Sequence, residues 1–422
     1  MTFSTRFDPI RSALAHRDFR LFSTGNVASH VGTWVQRMSV GWLAWELTRS
    51  GTWLGIIAFA DLFPTVLLAP ITGAVADRVD RLRAVKTIQA LNLVQAVLLA
   101  GFTLSGAITI EILLVLVALG GSVLAFGQPV RLAIIPSLVP RADLSAAIGI
   151  NALIFNGARF IGPMVAGLLI VRYGIGWAFV FNAASFVVFL AVLARIRLEH
   201  GETRRVARAI RNMPGEIAEG YAYAARHKGI GPMLAILTLV ALCGRPVLEL
   251  LPGFADAVFG RGAEGLAWLT SAAGLGAMLG GLWLAQRGAV AGLTATTVSG
   301  IALLGALLIG FAATDVFWLA LPCLAIAGFA LIVVGVGEQT LLQNAVDPGL
   351  RGRVMSLYGM INRGAPALGA LIMGSLSSWV GLQWPVIGGA AICLLVWLWA
   401  RSRRAAMTSA LEADEPARAA AG

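Results

Sequence analysis

The sequence predicts an all-α integral membrane protein of twelve transmembrane helices, built as two pseudo-symmetric six-helix bundles. Three observations predict it. Hydrophobic residues fill 58% of the 422 positions and charged residues only 13%, with a mean hydropathy of +0.82. A water-soluble chain of this size needs far more surface charge. Apolar runs of about 20 residues recur from end to end, the length a helix needs to cross a bilayer. The halves also match at an offset of about 205 to 209 residues: Arg37 answers Arg245, Arg131 answers Glu338, and Asn156 near Arg159 answers Asn362 beside Arg363. Internal duplication of this kind places a binding site between repeats, near mid-membrane.

Taken in order, the spans are expected near 21–45, 51–76, 84–104, 110–137, 148–171 and 177–194, then 233–257, 265–285, 289–312, 316–343, 354–379 and 383–399. Residues 1–20 form a polar amino-terminal segment without the apolar core of a cleavable signal. The first bundle covers 21–197, a polar linker 198–230, the second bundle 231–400 and a tail 401–422. The linker reads as a surface helix. The tail from Met407, rich in Ala and Glu, reads as disordered.

The net charge of +11 would suggest nucleic acid in a soluble chain. Here the basic residues cluster between spans, so they set orientation instead. One set of loops carries the 78–86 cluster, Arg141, Arg204, Arg205, Arg351, Arg353 and the arginines of 401–404; the other set carries only Arg49, Arg172 and Arg261. That asymmetry predicts a bacterial cytoplasmic membrane protein with both termini cytoplasmic. Tryptophans at positions 45, 53, 177, 268, 318, 379 and 384 fall at the opposite span ends, where an interfacial belt belongs. Cys243, Cys323 and Cys393 lie far apart inside apolar spans and suggest small core residues. His16, His30, His200 and His227 make no ligand pair. No cofactor and no metal are expected.

The turn after the second span carries Gly73, Asp77, Arg78, Asp80, Arg81 and Arg83. Its small residues allow close helix approach, and its acid can reach a helix amino terminus. The pattern resembles G-x-x-x-D-R-x-G-R-[RK], the loop between helices 2 and 3 of the major facilitator superfamily of secondary transporters. It departs at Asp80, where the family prefers Gly, and at Leu82, where it prefers a base. Gly162, Pro163 and Gly167 in the fifth span look like that family's G-P-x-x-G-G motif, associated with exporters, with Ala166 replacing one glycine. The run from Gly127 through Pro129, Arg131 and Pro136 to Pro140, with Arg351 to Ser356, is similar to the branch containing the enterobactin exporter and macrolide-efflux-like proteins. The resemblance covers about residues 15 to 400 and implies a monomeric transporter.

Charges inside spans are costly unless paired or facing a watery cavity, so those present mark candidate sites. Arg37 and Asp61 sit at equal depth on consecutive spans and suggest an ion pair, with Asp61 either a structural counter-ion or a proton-coupling carboxylate. Arg245 and Glu249, four residues apart, would share one helical face and either satisfy each other or line the cavity. Arg131 and Glu338 lie near the cytoplasmic ends of spans that the resemblance places at the central cavity. The expectation is an inner gate closed by an Arg131–Glu338 bridge and opened by protonation of Glu338, the alternative being an Arg131 that braces the first span. Arg159 and Arg363 would serve packing or the gate. Gln36, Asn156, Gln339, Gln343 and Asn362 are candidate cavity hydrogen-bonding groups.

Together these readings imply a proton-coupled exporter of a small amphipathic organic molecule, either a siderophore or a hydrophobic drug. An importer of a siderophore or metabolite, or a lipid flippase, would share the fold. A membrane enzyme is disfavoured by the lack of a His pair, a G-x-S-x-G turn and an acidic metal motif, and a nucleotide-driven pump by the lack of a phosphate-binding loop.

Overall fold

The computed structural model describes residues 8–76, 80–196 and 221–412. After a short helix α1 (Asp8–Ala15), six spans follow: α2 (Arg17–Thr48), α3 (Gly51–Ala76), α4 (Arg81–Leu104), α5 (Ile110–Ile134), α6 (Leu144–Tyr173) and α7 (Ile175–Arg195). The seventh span is broken into α8 (Ile230–Cys243) and α9 (Val247–Gly253), with a wide π turn over Phe254–Val258. Five more spans complete the chain: α10 (Gly262–Arg287), α11 (Leu293–Ala313), α12 (Phe317–Ala345), α13 (Arg351–Val380) and α14 (Gln383–Leu411). Among the described residues the chain is all-helical, with twelve spans. Ten of the spans are long and apolar enough to cross a bilayer on length and composition. The remaining two, α2 and α13, carry the densest intramembrane polar residues, among them His30, Gln36 and Arg37 on one and Asn362 and Arg363 on the other.

Two expectations about continuity need correction. The seventh span is not one helix, because Pro246 at the break lacks the N–H that a continuous ladder needs. The chain turns at Gly244 and restarts at Val247. Nor is the chain disordered from Met407: α14 runs on to Leu411, and Met407 and Leu411 are fully buried. Their docking is closed by hydrogen bonds. Asn344 donates to Leu411 O at 2.8 Å, and the Glu412 carboxylate accepts from the backbone N–H groups of Gly292 (2.5 Å) and Thr294 (2.7 Å), capping α11.

The described residues divide into two compact units, one within 1–48, 63–209 and 266–271, the other within 49–62, 210–265 and 272–422. Helix α3 passes between them at Leu62, next to Phe63-Pro64, where the proline leaves one helical carbonyl without its donor. In the first unit a core of Phe19, Phe22, Val85, Ile88, Ile134, Phe189 and Leu193 forms between α2, α4, α5 and α7. Glycine makes the closest approach possible there: a Cβ on Gly25 would stand 2.6 Å from the Phe189 ring. In the second unit Phe254, Phe259, Phe311 and Phe317 stack around the π turn, with ring centroids 4.8 Å apart for Phe254 and Phe311. Large exposed apolar residues such as Leu67, Leu168 and Leu395 suit hydrocarbon, not water. Trp177, Trp268, Trp318, Trp379 and Trp384 are exposed at span ends, whereas Trp45 is buried and belongs to the core.

The internal repeat is visible in packing. Gly162 of α6 lies against Trp34 of α2, and a Cβ there would strike the Trp34 Cβ. Gly369 of α13 lies against Leu242 of α8, and a Cβ there would strike the Leu242 carbonyl. These two contacts occupy equivalent positions of the two halves, the first span pressed on the fifth each time. Gly162 thus has a physical role in its motif, independent of transport direction.

Candidate functional site

In the first unit, α2 presents Asn26, His30, Trp34 and Arg37 at spacings of three and four, which align them on one stripe. Arg131, in the last turn of α5, reaches this stripe. Its Nη1 donates to Asn26 Oδ1 at 3.1 Å and approaches His30 Nε2 at 3.0 Å, while Nη2 donates to Ser29 Oγ at 3.4 Å. The guanidinium also lies 5.4 Å from the centroid of the Phe189 ring of α7. Asn26 passes the link to α6 by donating to Asn151 Oδ1 at 3.0 Å. Arg131 is thereby tied to α2 through Asn26, Ser29 and His30. Further along, Arg37 and Arg159 both lie against the Trp34 indole, 5.7 and 5.6 Å from its centroid. Phe155 meets His30 and Trp34 edge-on. Gln36 is committed inside the bundle, donating to Gln95 at 2.9 Å and accepting from Asn182 at 2.8 Å. Asn156 donates to the Ala152 carbonyl of its own helix at 2.9 Å. Pro163 and Gly167 are buried in α6.

The signature turn is described in part. Gly73 lies in α3, and Asp77 and Arg78 lie outside the described residues. The departure at Asp80 has a local reason: its carboxylate accepts the Arg83 backbone N–H at 2.8 Å and caps α4. Arg81 donates to Ser137 Oγ at 3.1 Å, tying α4 to the turn after α5.

In the second unit Arg245 occupies the break between α8 and α9 and donates to the Asn362 carbonyl (3.2 Å) and to Asn362 Oδ1 (2.6 Å) of α13. Glu249 lies half-buried in the first turn of α9. Glu338 of α12 is 1% exposed, and its Oε1 has no hydrogen-bond partner among the described residues. The preceding Gly337 lets Thr297 of α11 press against the helix. Arg245 and Tyr358 are within electrostatic reach of Glu338, and the Tyr358 hydroxyl donates to Gly335 O at 3.4 Å. Gln339 and Gln343 are exposed, while Asn362, Arg363 and Asp61 are half-buried.

A further cluster holds the stretch of α3 that groups with this unit. A Cβ on Gly55 would strike the Ala370 carbonyl of α13, and one on Gly51 would strike Ser377. Next to this seam Arg49, the only non-glycine residue with positive φ (51°) among those described, forms an ion pair with Asp256 of the π turn. Neither this pair nor the role of His30 is evident from sequence. Arg49 and Asp256 are 207 positions apart, and a search for metal-ligand spacing passes over a histidine whose partner is an arginine.

The all-helical fold, with charged residues buried inside its spans, is that of a polytopic membrane protein. The chain belongs to the major facilitator family described as transmembrane secretion effector, whose model matches residues 6–419. It is 26% identical over 378 residues to the staphyloferrin A transporter of Staphylococcus aureus, covering 89% of this chain and 94% of that one. It is 25% identical to the multidrug efflux pump Tap of Mycolicibacterium fortuitum, covering 83% and 87%. It is also 25% identical to the enterobactin exporter EntS of Escherichia coli, covering 87% and 85%. Among solved structures, the fold matches a bacterial homologue of the lysosomal transporter Spinster in an inward-facing conformation, with a TM-score of 0.70 at 16% identity, over 96% of this chain and 99% of that one.

Proposed function

We propose that this protein is a proton-coupled secondary exporter of a small amphipathic organic molecule, a siderophore or hydrophobic drug, in the bacterial cytoplasmic membrane. The two six-helix halves, 21–197 and 231–400, rock about a central site, with both termini cytoplasmic and no second chain needed. Relatives described as an enterobactin exporter and a multidrug efflux pump support export and the substrate class. The basic loops support the orientation.

The observation that carries proton coupling is Glu338. An ionised carboxylate with a bare oxygen inside a bilayer-embedded bundle costs several kcal/mol, so the acid form suits this buried position. Exposure to water in another conformation lets it release the proton. A group neutral when buried and ionised when wet is a proton carrier, and Arg245 nearby would favour release. Asp61 and Glu249 are the secondary carboxylates.

The test is transport in everted vesicles with an imposed proton gradient, reading lumenal pH while siderophores and lipophilic drugs are added. A compound should collapse the gradient only when the protein is present. Glu338→Gln should abolish that collapse while leaving substrate exchange at equal concentrations intact. Unchanged gradient-driven transport in that variant removes Glu338 from the role. Substrate uptake in the opposite direction, or lipid movement without a gradient, would favour an importer or a flippase.

A further inference from the structure

In the second unit α10 and α11 each lean on α12 through glycine. A Cβ on Gly276 would strike the Ala325 carbonyl, one on Gly280 would stand 2.8 Å from the Phe329 carbonyl, and one on Gly300 would stand 2.8 Å from the Val334 side chain. Between these seams a cleft of about 390 Å³ stays open, lined by Trp283 of α10, Thr296, Ser299 and Leu303 of α11, and Phe329 and Val333 of α12. Nothing in the proposed mechanism uses it. Trp283 and Leu303 are 42% and 40% exposed, and Leu282 and Ile326 on neighbouring turns are exposed as well. In a membrane-spanning chain such an apolar surface faces hydrocarbon. Along α11 the cleft runs from Ala295 to Leu303, about 12 Å at the helical rise. That is most of the roughly 15 Å of hydrocarbon in one leaflet.

One end of the cleft is polar and positive. Arg287, one turn beyond Trp283 in the last turn of α10, folds onto α11 and donates to Thr296 Oγ1 and, at 2.8 Å, to the Ala291 carbonyl. Both partners are neutral, and no carboxylate pairs with Arg287 among the described residues. Glu412, the acid at this end, is bound instead to the backbone N–H groups of Gly292 and Thr294. The internal repeat shows the same lack of an acid in sequence. Ala285-Gln286-Arg287 answers Ala76-Asp77-Arg78, with Gln286 where the first copy has its carboxylate. Deeper in the cleft lies the Ser299 hydroxyl. Thr296 and Thr297 donate back to Gly292 O at 3.0 Å and Leu293 O at 2.8 Å, whereas Ser299 makes no hydrogen bond among the described residues.

We infer that this cleft is a binding site for an anionic phospholipid, with one acyl chain between α10, α11 and α12 and the phosphate on the Arg287 guanidinium. The guanidinium has five donors in a fixed fork that suits a phosphate. Ser299 offers a donor to an ester oxygen, and Trp283 an amphipathic ring of the kind that sits where chain meets headgroup. Because α14 finishes at the same end of the unit, the orientation proposed above makes this a lipid of the cytoplasmic leaflet. Only that detail rests on the proposed function.

The experiment uses the full chain in detergent micelles with a phosphatidylglycerol analogue that carries a photoreactive diazirine on one acyl chain. After irradiation, digestion and mass spectrometry locate the label. It is expected on peptides containing Trp283, Leu303 or Phe329. Unlabelled phosphatidylglycerol should displace it about fivefold more effectively than phosphatidylcholine, the weight of one basic residue on an anionic lipid. Arg287→Gln should erase that preference and Arg287→Lys should keep most of it. Ser299→Phe, at an exposed position, should block labelling by filling the cleft, and it keeps the test decisive if Arg287→Gln does not fold. Arg172→Gln, on the opposite set of loops, should change nothing. Label confined to other peptides, equal displacement by the two lipids, or a preference untouched by Arg287→Gln would overturn the assignment. Displacement by a neutral lipophilic drug and not by phosphatidylglycerol would also overturn it, making the cleft a substrate entrance. The readout needs neither a gradient nor transport, so its failure and a failure of the proposed function are told apart.

Discussion

Replacing Gly162 or Gly369 with alanine should destabilise the protein, and the same change at Gly157 or Gly359 should not. All four glycines lie inside the same two helices, α6 and α13. At position 162 the added methyl collides with the Trp34 Cβ and stands 3.3 Å from the Trp34 backbone, and at 369 it collides with the Leu242 carbonyl and stands 2.6 Å from Pro246 Cγ. These neighbours are backbone or stem atoms that cannot rotate aside. At 157 and 359 a methyl meets nothing within 4 Å. Glycine-to-alanine gains about 1 kcal/mol of helix propensity in an open position, while overpacking costs about 1–3 kcal/mol and sometimes more. The two crowded sites should lose roughly 1–2 kcal/mol and the two open ones gain up to about 1 kcal/mol. At about 2–4 °C per kcal/mol for large domains, the two pairs should differ by roughly 2–12 °C in thermal unfolding of the purified protein. If all four variants shift together, or none shifts, the first-on-fifth helix seams are not close-packed through glycine and the reasoning fails.

Other perturbations follow from the same structure. Met407→Ala and Leu411→Ala should each cost about 2–5 kcal/mol, because both side chains are fully buried; thermal unfolding measures the loss, and a chain ending before 405 should be less stable than either variant. Glu412→Gln should cost about 0.5–2 kcal/mol by weakening the cap on α11, again read by thermal unfolding. A double-mutant cycle on Arg49 and Asp256 should give a coupling below about 1 kcal/mol that fades with added salt, since Arg49 is 57% exposed. Cys243 and Cys393 are buried and Cys323 is half-buried, so a membrane-permeant maleimide should label Cys323 first, as mass spectrometry of timed digests would show.

Each functional motif was legible to a different depth. The departure at Asp80 from the loop pattern looked like decay, yet the residue caps α4. Reading it so needs the start of the next helix, which is a local matter and in principle visible. Arg245 and Glu249 illustrate a harder case. Their four-residue spacing is a helical argument, whereas the break at Gly244 to Pro246 and the Arg245 bond to Asn362 are seen only in the fold. Gln36 is polar and intramembrane, as a cavity residue would be, but Gln95 and Asn182 from two other spans claim both ends of its amide. The tail was misread for another reason. Composition reports the average tendency of Ala- and Glu-rich segments, whereas Met407 and Leu411 are anchored by a groove assembled from distant parts of the chain.

The sequence by itself determined the class, the number of spans and the duplication. Bilayer thickness and the cost of unpaired backbone groups impose those features on any chain with this hydropathy, whatever its neighbours. Only the tertiary structure decided which charged and polar side chains meet. Arg131 meets His30 and Asn26, Arg245 meets Asn362, and Arg49 meets Asp256. These partners lie about a hundred or more positions apart, and short-range electrostatics depends on a few ångströms of helix packing that glycine and proline set locally and no periodicity encodes.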